Sequence, residues 1–260
     1  MDLRLFHLDT FASRVFAGNP AAVVPLERWI DDTVLQAIAA ENHVPETAFI
    51  VGRNGEYRIR WMTPTCEVDL CGHGTLASGW VVCQRLEPGR TEVSFSSKSG
   101  HLRVAARGDK LVLDFPSRPP SAADGAREDV GKALGRMPAA VLAARDYLAL
   151  FESEDVIRAL RPDMAKVAAL DRMAVIATAP GNDCDFVSRF FAPSVGIPED
   201  PVTGSAHCTL VPFWARRLGT MRLHAHQLSS RGGELWCELH GERVFITGHV
   251  TLYLEGRIHV

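Results

Sequence analysis

Short segments in which apolar and polar residues alternate occur throughout the chain. This alternation has the two-residue period of a half-buried β-strand. It predicts strands at 2–9, 47–52, 56–63, 91–97, 101–106 and 110–115, and again at 141–150, 173–178, 184–191, 221–228, 234–240 and 243–254. Segments with helical character are fewer and lie at 32–42, 73–87, 127–135, 153–160 and 203–218. Many strands with a few helices predict an α+β fold.

Two of the predicted helices, 73–87 and 203–218, are apolar nearly all round. A helix without a polar stripe is buried on every side. We therefore expect each to be the central helix of one lobe, with a mostly antiparallel sheet or barrel wrapped around it. Pro212 lies inside the second helix, where it should kink the helix or leave one carbonyl oxygen without its helical donor.

The two halves of the chain repeat one series of motifs in the same order. Residues 60–64 read Arg-Trp-Met-Thr-Pro and residues 189–193 read Arg-Phe-Phe-Ala-Pro. Each is followed by an acidic residue, a glycine-containing turn and one of the two apolar helices. The neighbouring segments also match, 48–51 with 174–177 and 96–100 with 229–233. This repetition indicates an internal duplication and therefore two pseudo-symmetric lobes.

The proline-rich segment 116–125 is the predicted linker between the lobes, because proline fixes φ and removes a backbone donor. The N-terminal lobe would span residues 1–116, and a C-terminal strand at 249–260 could complete it. The C-terminal lobe would span residues 117–248. We expect the chemistry to lie in the cleft between the lobes.

Composition narrows the partners of the protein. The chain has 260 residues, 47% of them hydrophobic, and a net charge of −3. A slightly acidic chain without a long basic run argues against nucleic acid as a partner. No apolar run approaches the roughly 20 residues of a membrane helix, and the N-terminus lacks the features of a signal peptide. We expect a soluble, cytoplasmic protein without a membrane partner.

The cysteines and histidines do not form an evident metal site in the sequence. None of the six cysteines forms a CxxC pair, so free thiols are expected in a reducing cytosol. His224 and His226 would share one face of a strand, but no third ligand is apparent nearby. Paired surface histidines are therefore the preferred interpretation, and we predict no metal.

Both apolar helices begin at a turn suited to anion binding. Residues 71–75 read Cys-Gly-His-Gly-Thr, and residues 200–205 read Asp-Pro-Val-Thr-Gly-Ser. Small residues keep backbone N–H groups accessible at a helix N-terminus, where the helix dipole favours negative charge. Asp200 is a suitable N-cap and Pro201 a suitable first helical residue. Two such helix starts could bind a small carboxylated metabolite and stabilise negative charge that develops beside it.

Several separated motifs together resemble one known family. They are His-Leu-Asp-Thr-Phe at 7–11, Phe-Ala-Gly-Asn-Pro at 16–20, Pro-Glu-Thr-Ala-Phe at 45–49, Glu-Val-Asp-Leu-Cys-Gly-His at 67–73 and Glu-Asp-Pro-Val-Thr-Gly-Ser at 199–205. This set is similar to that of the phenazine-biosynthesis isomerase (PhzF-like) family. The resemblance implies the diaminopimelate epimerase-like fold and a homodimer. It also implies an isomerase without a cofactor, in which one glutamate moves a proton between carbons of a small amino- or hydroxy-carboxylate.

The resemblance also assigns roles to residues. It implies that Glu46 is the acid/base group and that His73 and Asp200 assist catalysis. The remaining candidates would contact the substrate, and they are Cys71, Gly72, Gly74, Thr75, Gly204 and Ser205.

Two other functions stay open. Cys-Gly-His-Gly at 71–74 also resembles the first helix start of two-thiol racemases and epimerases, in which Cys71 would act as a base. The second helix start has Asp200 where such an enzyme would place its other cysteine, and Cys208 lies a turn further along the helix. The third possibility, from another class, is a binding or interaction protein that has the fold without the catalysis.

Overall fold

The computed structural model describes residues 1–260 as eighteen strands, six α-helices and short 3₁₀- and π-helical turns. In the first half the elements are β1 (Asp2–Thr10), β2 (Asn19–Leu26), α1 (Asp32–Asn42), β3 (Glu46–Arg53), β4 (Glu56–Met62), β5 (Glu67–Val68), α2 (Gly72–Val81), β6 (Glu92–Ser97), β7 (Gly100–Arg107), β8 (Lys110–Pro116) and β9 (Ser121–Ala122). The rest are α3 (Arg127–Leu134), β10 (Ala140–Ala143), β11 (Tyr147–Leu150), α4 (Glu154–Ala159), α5 (Met164–Ala168), β12 (Val175–Pro180), β13 (Phe186–Ala192), β14 (Ile197–Asp200), α6 (Gly204–Leu218), β15 (Arg222–Gln227), β16 (Gly233–His240), β17 (Arg243–Gly248) and β18 (Val250–His259). None of the helices combines the length and the apolar character needed to cross a membrane.

The chain divides into two compact units. The first contains residues 1–114 and 247–260, and the second contains residues 115–246. The C-terminal strand β18 therefore belongs to the first unit, where it pairs antiparallel with β1 from Asp2–His259 to Thr10–Val250.

In the first unit, strands surround helix α2. β1 pairs antiparallel with β2, β3 with β4, β4 with β5, β6 with β7, and β7 with β8, whereas β2–β3 and β4–β6 are parallel. Helix α2 contacts β1, β2, β3, β6, β7 and β18. Its residues from His73 to Gly79 are all buried, as expected for a helix that lacks a polar stripe.

The second unit repeats these pairings around helix α6. β12–β13, β13–β14 and β15–β16 are antiparallel, and β11–β12 and β13–β15 are parallel. They correspond in order to β3–β4, β4–β5, β6–β7, β2–β3 and β4–β6 of the first unit. The structure thus confirms the α+β class and the two similarly built lobes, each with a mostly antiparallel sheet around a buried helix.

The duplicated motif contains an arginine–glutamate ion pair in both units. Arg60 donates from Nε to Oε1 of Glu67 at 2.9 Å, and Arg189 donates to Oε1 of Glu199 at 2.7 Å. In each copy a second guanidinium nitrogen binds the other carboxylate oxygen at 2.9 Å. These bidentate contacts connect two strands in each unit. One strand carries the arginine, and the other is the short strand that precedes the buried helix.

The structure corrects three sequence-based boundaries. The segment predicted as one strand at 141–150 is two strands, separated by a bend at 144–146. The segment 243–254 is also two strands, interrupted at the single residue His249. Strand β2 was not predicted at all. Helix α6 begins at Gly204 rather than at Pro201, because Asp200 still pairs with Phe190 in β14 and Thr203, with an extended backbone, is the N-cap. Asp200 is therefore not the N-cap.

The expectation for Pro212 is confirmed. Proline has no N–H to offer the carbonyl four residues earlier, which belongs to Cys208. That oxygen instead accepts a hydrogen bond of 2.8 Å from the backbone N–H of Arg118. The proline thus creates the acceptor that ties segment 116–120 to the buried helix.

Candidate functional site

A carboxylate, an imidazole and a thiol lie together at the start of helix α2. Nε2 of His73 lies 3.0 Å from Oε2 of Glu46, close enough for an ion pair although the groups are not aligned as a hydrogen bond. The Sγ atom of Cys71 lies 3.6 Å from Nδ1 and 3.8 Å from Nε2 of the same ring. All three side chains are buried. The fold therefore forms a compact acid–base cluster in the first unit.

Local structure fixes the positions of these side chains. Glu46 is the first residue of β3 and pairs with Ala21 of β2. Cys71 is the N-cap of α2, and its Sγ accepts a hydrogen bond of 3.3 Å from the N–H of Gly74. A Cβ atom on Gly74 would lie 2.9 Å from Trp61 and 3.0 Å from the Cys71 sulfur. Position 74 therefore has no room for a side chain while Cys71 keeps its place.

Asn19 contacts the other side of the His73 ring. Its amide nitrogen lies 3.2 Å from Nδ1. An amide nitrogen can only donate, so Nδ1 accepts and the ring proton lies on Nε2, which faces Glu46. If the Asn19 amide is flipped, its oxygen faces Nδ1 and can accept a hydrogen bond from the Nδ1–H of an imidazolium. Asn19 can thus support both charge states of His73.

Burial and charge set the protonation of the cluster. Burial raises the pKa of the Cys71 thiol, and the neighbouring Glu46 carboxylate raises it further. Burial alone would lower the pKa of His73, but the negative charges of Cys71 and Glu46 outweigh it and raise that pKa well above its usual value. Cys71 and Glu46 thus favour the imidazolium form of His73, while burial and Glu46 favour the protonated form of the thiol.

The start of helix α6 contains a buried polar network. The Thr203 hydroxyl donates to Oδ2 of Asp200, and the backbone N–H of Thr203 donates to Oε1 of Gln227 at 2.8 Å. Nε2 of Gln227 in turn donates to the backbone oxygen of Asp200 at 2.8 Å. All three residues are buried. Gln227 therefore binds the backbone at both Asp200 and Thr203, which keeps Asp200 beside the helix start.

Ser205 lies on the first turn of α6 next to a cationic side chain. Nη2 of Arg145 donates to Oγ of Ser205 at 3.1 Å and to Oδ2 of the buried Asp146 at 2.9 Å. About a third of the Arg145 side chain is exposed. A hydroxyl and a guanidinium at a helix N-terminus are suited to binding a carboxylate.

The predicted site residues fall into two groups. Glu46, Cys71, Gly72, His73, Gly74 and Thr75 belong to the first unit, and Asp200, Gly204 and Ser205 belong to the second. The Thr75 hydroxyl is buried and donates to the Cys71 carbonyl at 2.6 Å, so it serves the helix start itself. The Thr75 N–H also donates to that carbonyl, so neither this N–H nor that of Gly74 is left for an anion. The predicted position of the active site in an interlobe cleft stays a prediction.

Three contributing residues were missed by the sequence interpretation, and they are Asn19, Arg145 and Gln227. Asn19 lies in the motif at 16–20 that carries part of the family resemblance, so that motif was an available signal. Arg145 and Gln227 lie in no motif, and their partners are 60 and 24 residues away in the sequence. Only the folded chain identifies them.

The donor atoms of the first group are also within reach of a single metal ion. One ligand atom each of Glu46, Cys71 and His73 lies within 4.8 Å of the others. The thiol must lose its proton to become a ligand, and burial beside a carboxylate opposes that loss. We therefore do not assign a metal ion to this cluster.

The fold and this cluster define a duplicated α+β protein with a buried carboxylate, imidazole and thiol at the start of one helix. The model of the family described as phenazine biosynthesis-like protein matches residues 8–256. The chain belongs to this family. A protein of Pseudomonas aeruginosa named an uncharacterized isomerase is 49% identical over 263 residues, with 100% of both chains covered.

Solved structures agree with this placement. A PhzF-family protein of Enterococcus faecalis is 40% identical, with a TM-score of 0.97 and 100% of both chains covered. A hydroxyproline epimerase of Agrobacterium vitis shares only 10% identity and has a TM-score of 0.62, with 99% of this chain and 92% of that chain covered, so it bears on the fold alone. Family and relatives together indicate an isomerase-type enzyme.

Proposed function

We propose that the protein is a cofactor-independent isomerase that moves a proton between carbons of a small amino- or hydroxy-carboxylate. The buried pair of Glu46 and His73, at 3.0 Å, is the observation that carries the proposal. A general base has to lie where it meets substrate but not bulk water, with a partner that fixes its orientation. The naming of relatives as isomerases supports the reaction class.

In this mechanism Glu46 both removes and returns the proton. Its carboxylate takes a proton from one carbon of the substrate, and the electron pair of that C–H bond moves into the adjacent unsaturated system. The same proton, now on Glu46, is then given to a second carbon, so the product is an isomer of the substrate. The His73 imidazolium holds one carboxylate oxygen and leaves the other for the substrate.

We further propose that Ser205 and Arg145 bind the carboxylate of the substrate and that Asp200 binds its amine or hydroxyl group. The hydroxyl and guanidinium already lie 3.1 Å apart at the start of α6. Asp200 is a buried carboxylate held by Thr203 and is thus suited to accept a hydrogen bond from a donor group.

Replacing Arg145 by methionine should therefore raise KM by about 10–100-fold, the worth of one charge-assisted hydrogen bond, and lower kcat less. Arg145→Lys keeps the charge beside Asp146 and should give an intermediate value. Steady-state kinetics would measure both. The control is Arg136→Met, which removes an exposed ion pair with Glu152 in the same unit. An unchanged KM in Arg145→Met would contradict this assignment.

A racemase or epimerase that uses Cys71 is the second candidate. The contact of 3.6 Å between its sulfur and His73 favours it, because an imidazole can accept the thiol proton. The raised pKa of the thiol weighs against it, since the thiolate is the reactive form.

Solvent exchange separates these functions. Small amino- and hydroxy-carboxylates are incubated with the protein in deuterated water, and carbon-bound deuterium and product structure are followed by NMR. The proton-shift mechanism predicts a positional isomer, with little change of rate in Cys71→Ser. The racemase predicts inversion at the exchanging carbon and a large loss in that variant. A binding protein without catalysis would give neither exchange nor product.

A further inference from the structure

Two histidines and a glutamate converge on one face of the β15–β16 hairpin, in the second unit. His226 on β15 lies directly opposite Glu234 on β16, and His224 lies opposite Trp236. Oε1 of Glu234 is 2.8 Å from Nε2 of His224 and 3.8 Å from Nε2 of His226. One ligand atom from each of the three residues lies within 4.8 Å of the others.

The structure adds a third side chain to the two histidines that the sequence interpretation considered. Because side chains alternate along β15, both histidines lie on one face of the strand, as expected. Two ligands alone are too few for a metal site. The third ligand comes from the antiparallel partner strand, whose register sets Glu234 against His226. A search for ligands close in sequence to the histidines could not assign it.

Neighbouring residues hold His224 in place. Trp236 stacks on the His224 ring with a centroid distance of 5.3 Å and an interplanar angle of 10°. The backbone of His224 accepts from the N–H of Asp185 at 2.9 Å and donates to its carboxylate at 2.6 Å. A carboxylate beside a His–His–Glu set, as Asp185 provides here, favours a bound cation.

The geometry points to a binding site for a Zn²⁺-like divalent cation formed by His224, His226 and Glu234. Two imidazoles and one carboxylate are a ligand set that Zn²⁺ uses with water at the fourth position. Ligand atoms of a tetrahedral Zn²⁺ site lie about 3.4 Å apart, because each bond to the metal is about 2.1 Å long. Small side-chain rotations would bring the three ligand atoms to this spacing. The three side chains are about one-third exposed, so an ion can enter from solvent. All three residues belong to the second unit.

Calorimetric titration of the reduced full-length protein with Zn²⁺ tests the proposal. We expect one equivalent to bind at this site, at least about tenfold more weakly in His226→Ala and in Glu234→Gln. Glu234→Gln keeps the shape of the side chain, so folding should not be at issue. The matched control is His240→Ala, which removes a histidine 3.1 Å from Glu238 on the same hairpin but outside the cluster. That variant should bind Zn²⁺ like the wild type.

Two further measurements identify the ligands. Co²⁺ in place of Zn²⁺ should give visible absorption without a sulfur-to-metal charge-transfer band, because no thiol is in the set. A Zn²⁺-dependent rise in melting temperature should occur in the wild type and disappear in Glu234→Gln. The proposal is overturned if the wild type takes up no Zn²⁺, if both ligand variants bind it unchanged, or if a sulfur band shows that Cys66 or Cys71 is the ligand. None of these readouts depends on turnover, so they are independent of the proposed isomerase activity.

Discussion

Glu46→Gln is expected to lower kcat/KM by about 10²–10⁴-fold, the usual contribution of a positioned general base. Glutamine has the shape of glutamate and keeps an oxygen beside Nε2 of His73, so the fold should persist. It cannot take a proton from carbon. The loss should therefore fall on kcat, with KM changed little. The assay is kinetics on whichever carboxylate shows exchange in deuterated water.

A second readout checks that the carboxylate acts on His73. Glu46 is one of the two charges that raise the pKa of this imidazole. Its removal should shift the His73 titration, followed by NMR, to lower pH. The control variant is Glu41→Gln, an exposed glutamate on α1, which should match the wild type in both measurements. Full activity in Glu46→Gln would overturn the proposed mechanism.

Acid is expected to destabilise the second unit through His207, by about 3 kcal/mol between pH 6.5 and pH 4. His207 is completely buried on α6, and this burial lowers its pKa from 6.5 to about 4. Its Nδ1–H donates to the Thr203 carbonyl at 2.9 Å, while Nε2 has no hydrogen-bond partner. The folded state thus holds the neutral ring and the unfolded state gains a proton below pH 6.5. The contribution of His207 to stability is complete above pH 6.5 and decreases as the pH falls towards 4. Below pH 4 this group causes no further loss of stability.

Urea unfolding at several pH values between 7 and 4 measures this effect. Buried carboxylates also titrate at the acid end of this range, so the comparison must be with His207→Gln, which lacks only this ionisation. The difference in the free energy of unfolding between the two proteins should change with pH in the stated direction. His240→Gln, at an exposed position, should follow the wild type. Parallel pH profiles for the wild type and His207→Gln would contradict the assignment.

Particular elements show why some features were predictable. Helices α2 and α6 and their glycine-rich starts were evident because an all-apolar helix and a glycine turn are local patterns. The missed strand β2 reads Asn-Pro-Ala-Ala-Val-Val-Pro-Leu, with two prolines that argue against a strand between two neighbours. It nevertheless pairs with both β1 and β3. β2 is a hydrophobic run because it is buried between its neighbours. A strand of this kind has no alternating pattern that would indicate it in the sequence.

The sequence by itself determined the duplicated α+β architecture, the two buried helices and the placement of Cys71 and His73 at one helix start. These features depend on residues close together in the chain, whose geometry the backbone period fixes. Only the tertiary structure decided which distant side chains meet, namely Glu46 with His73, Arg145 with Ser205, and Glu234 with His224 and His226. Such contacts depend on strand register and on how each helix is packed. A shift of one residue in register turns a side chain to the opposite face, so long-range pairing, rather than local pattern, brings these groups together.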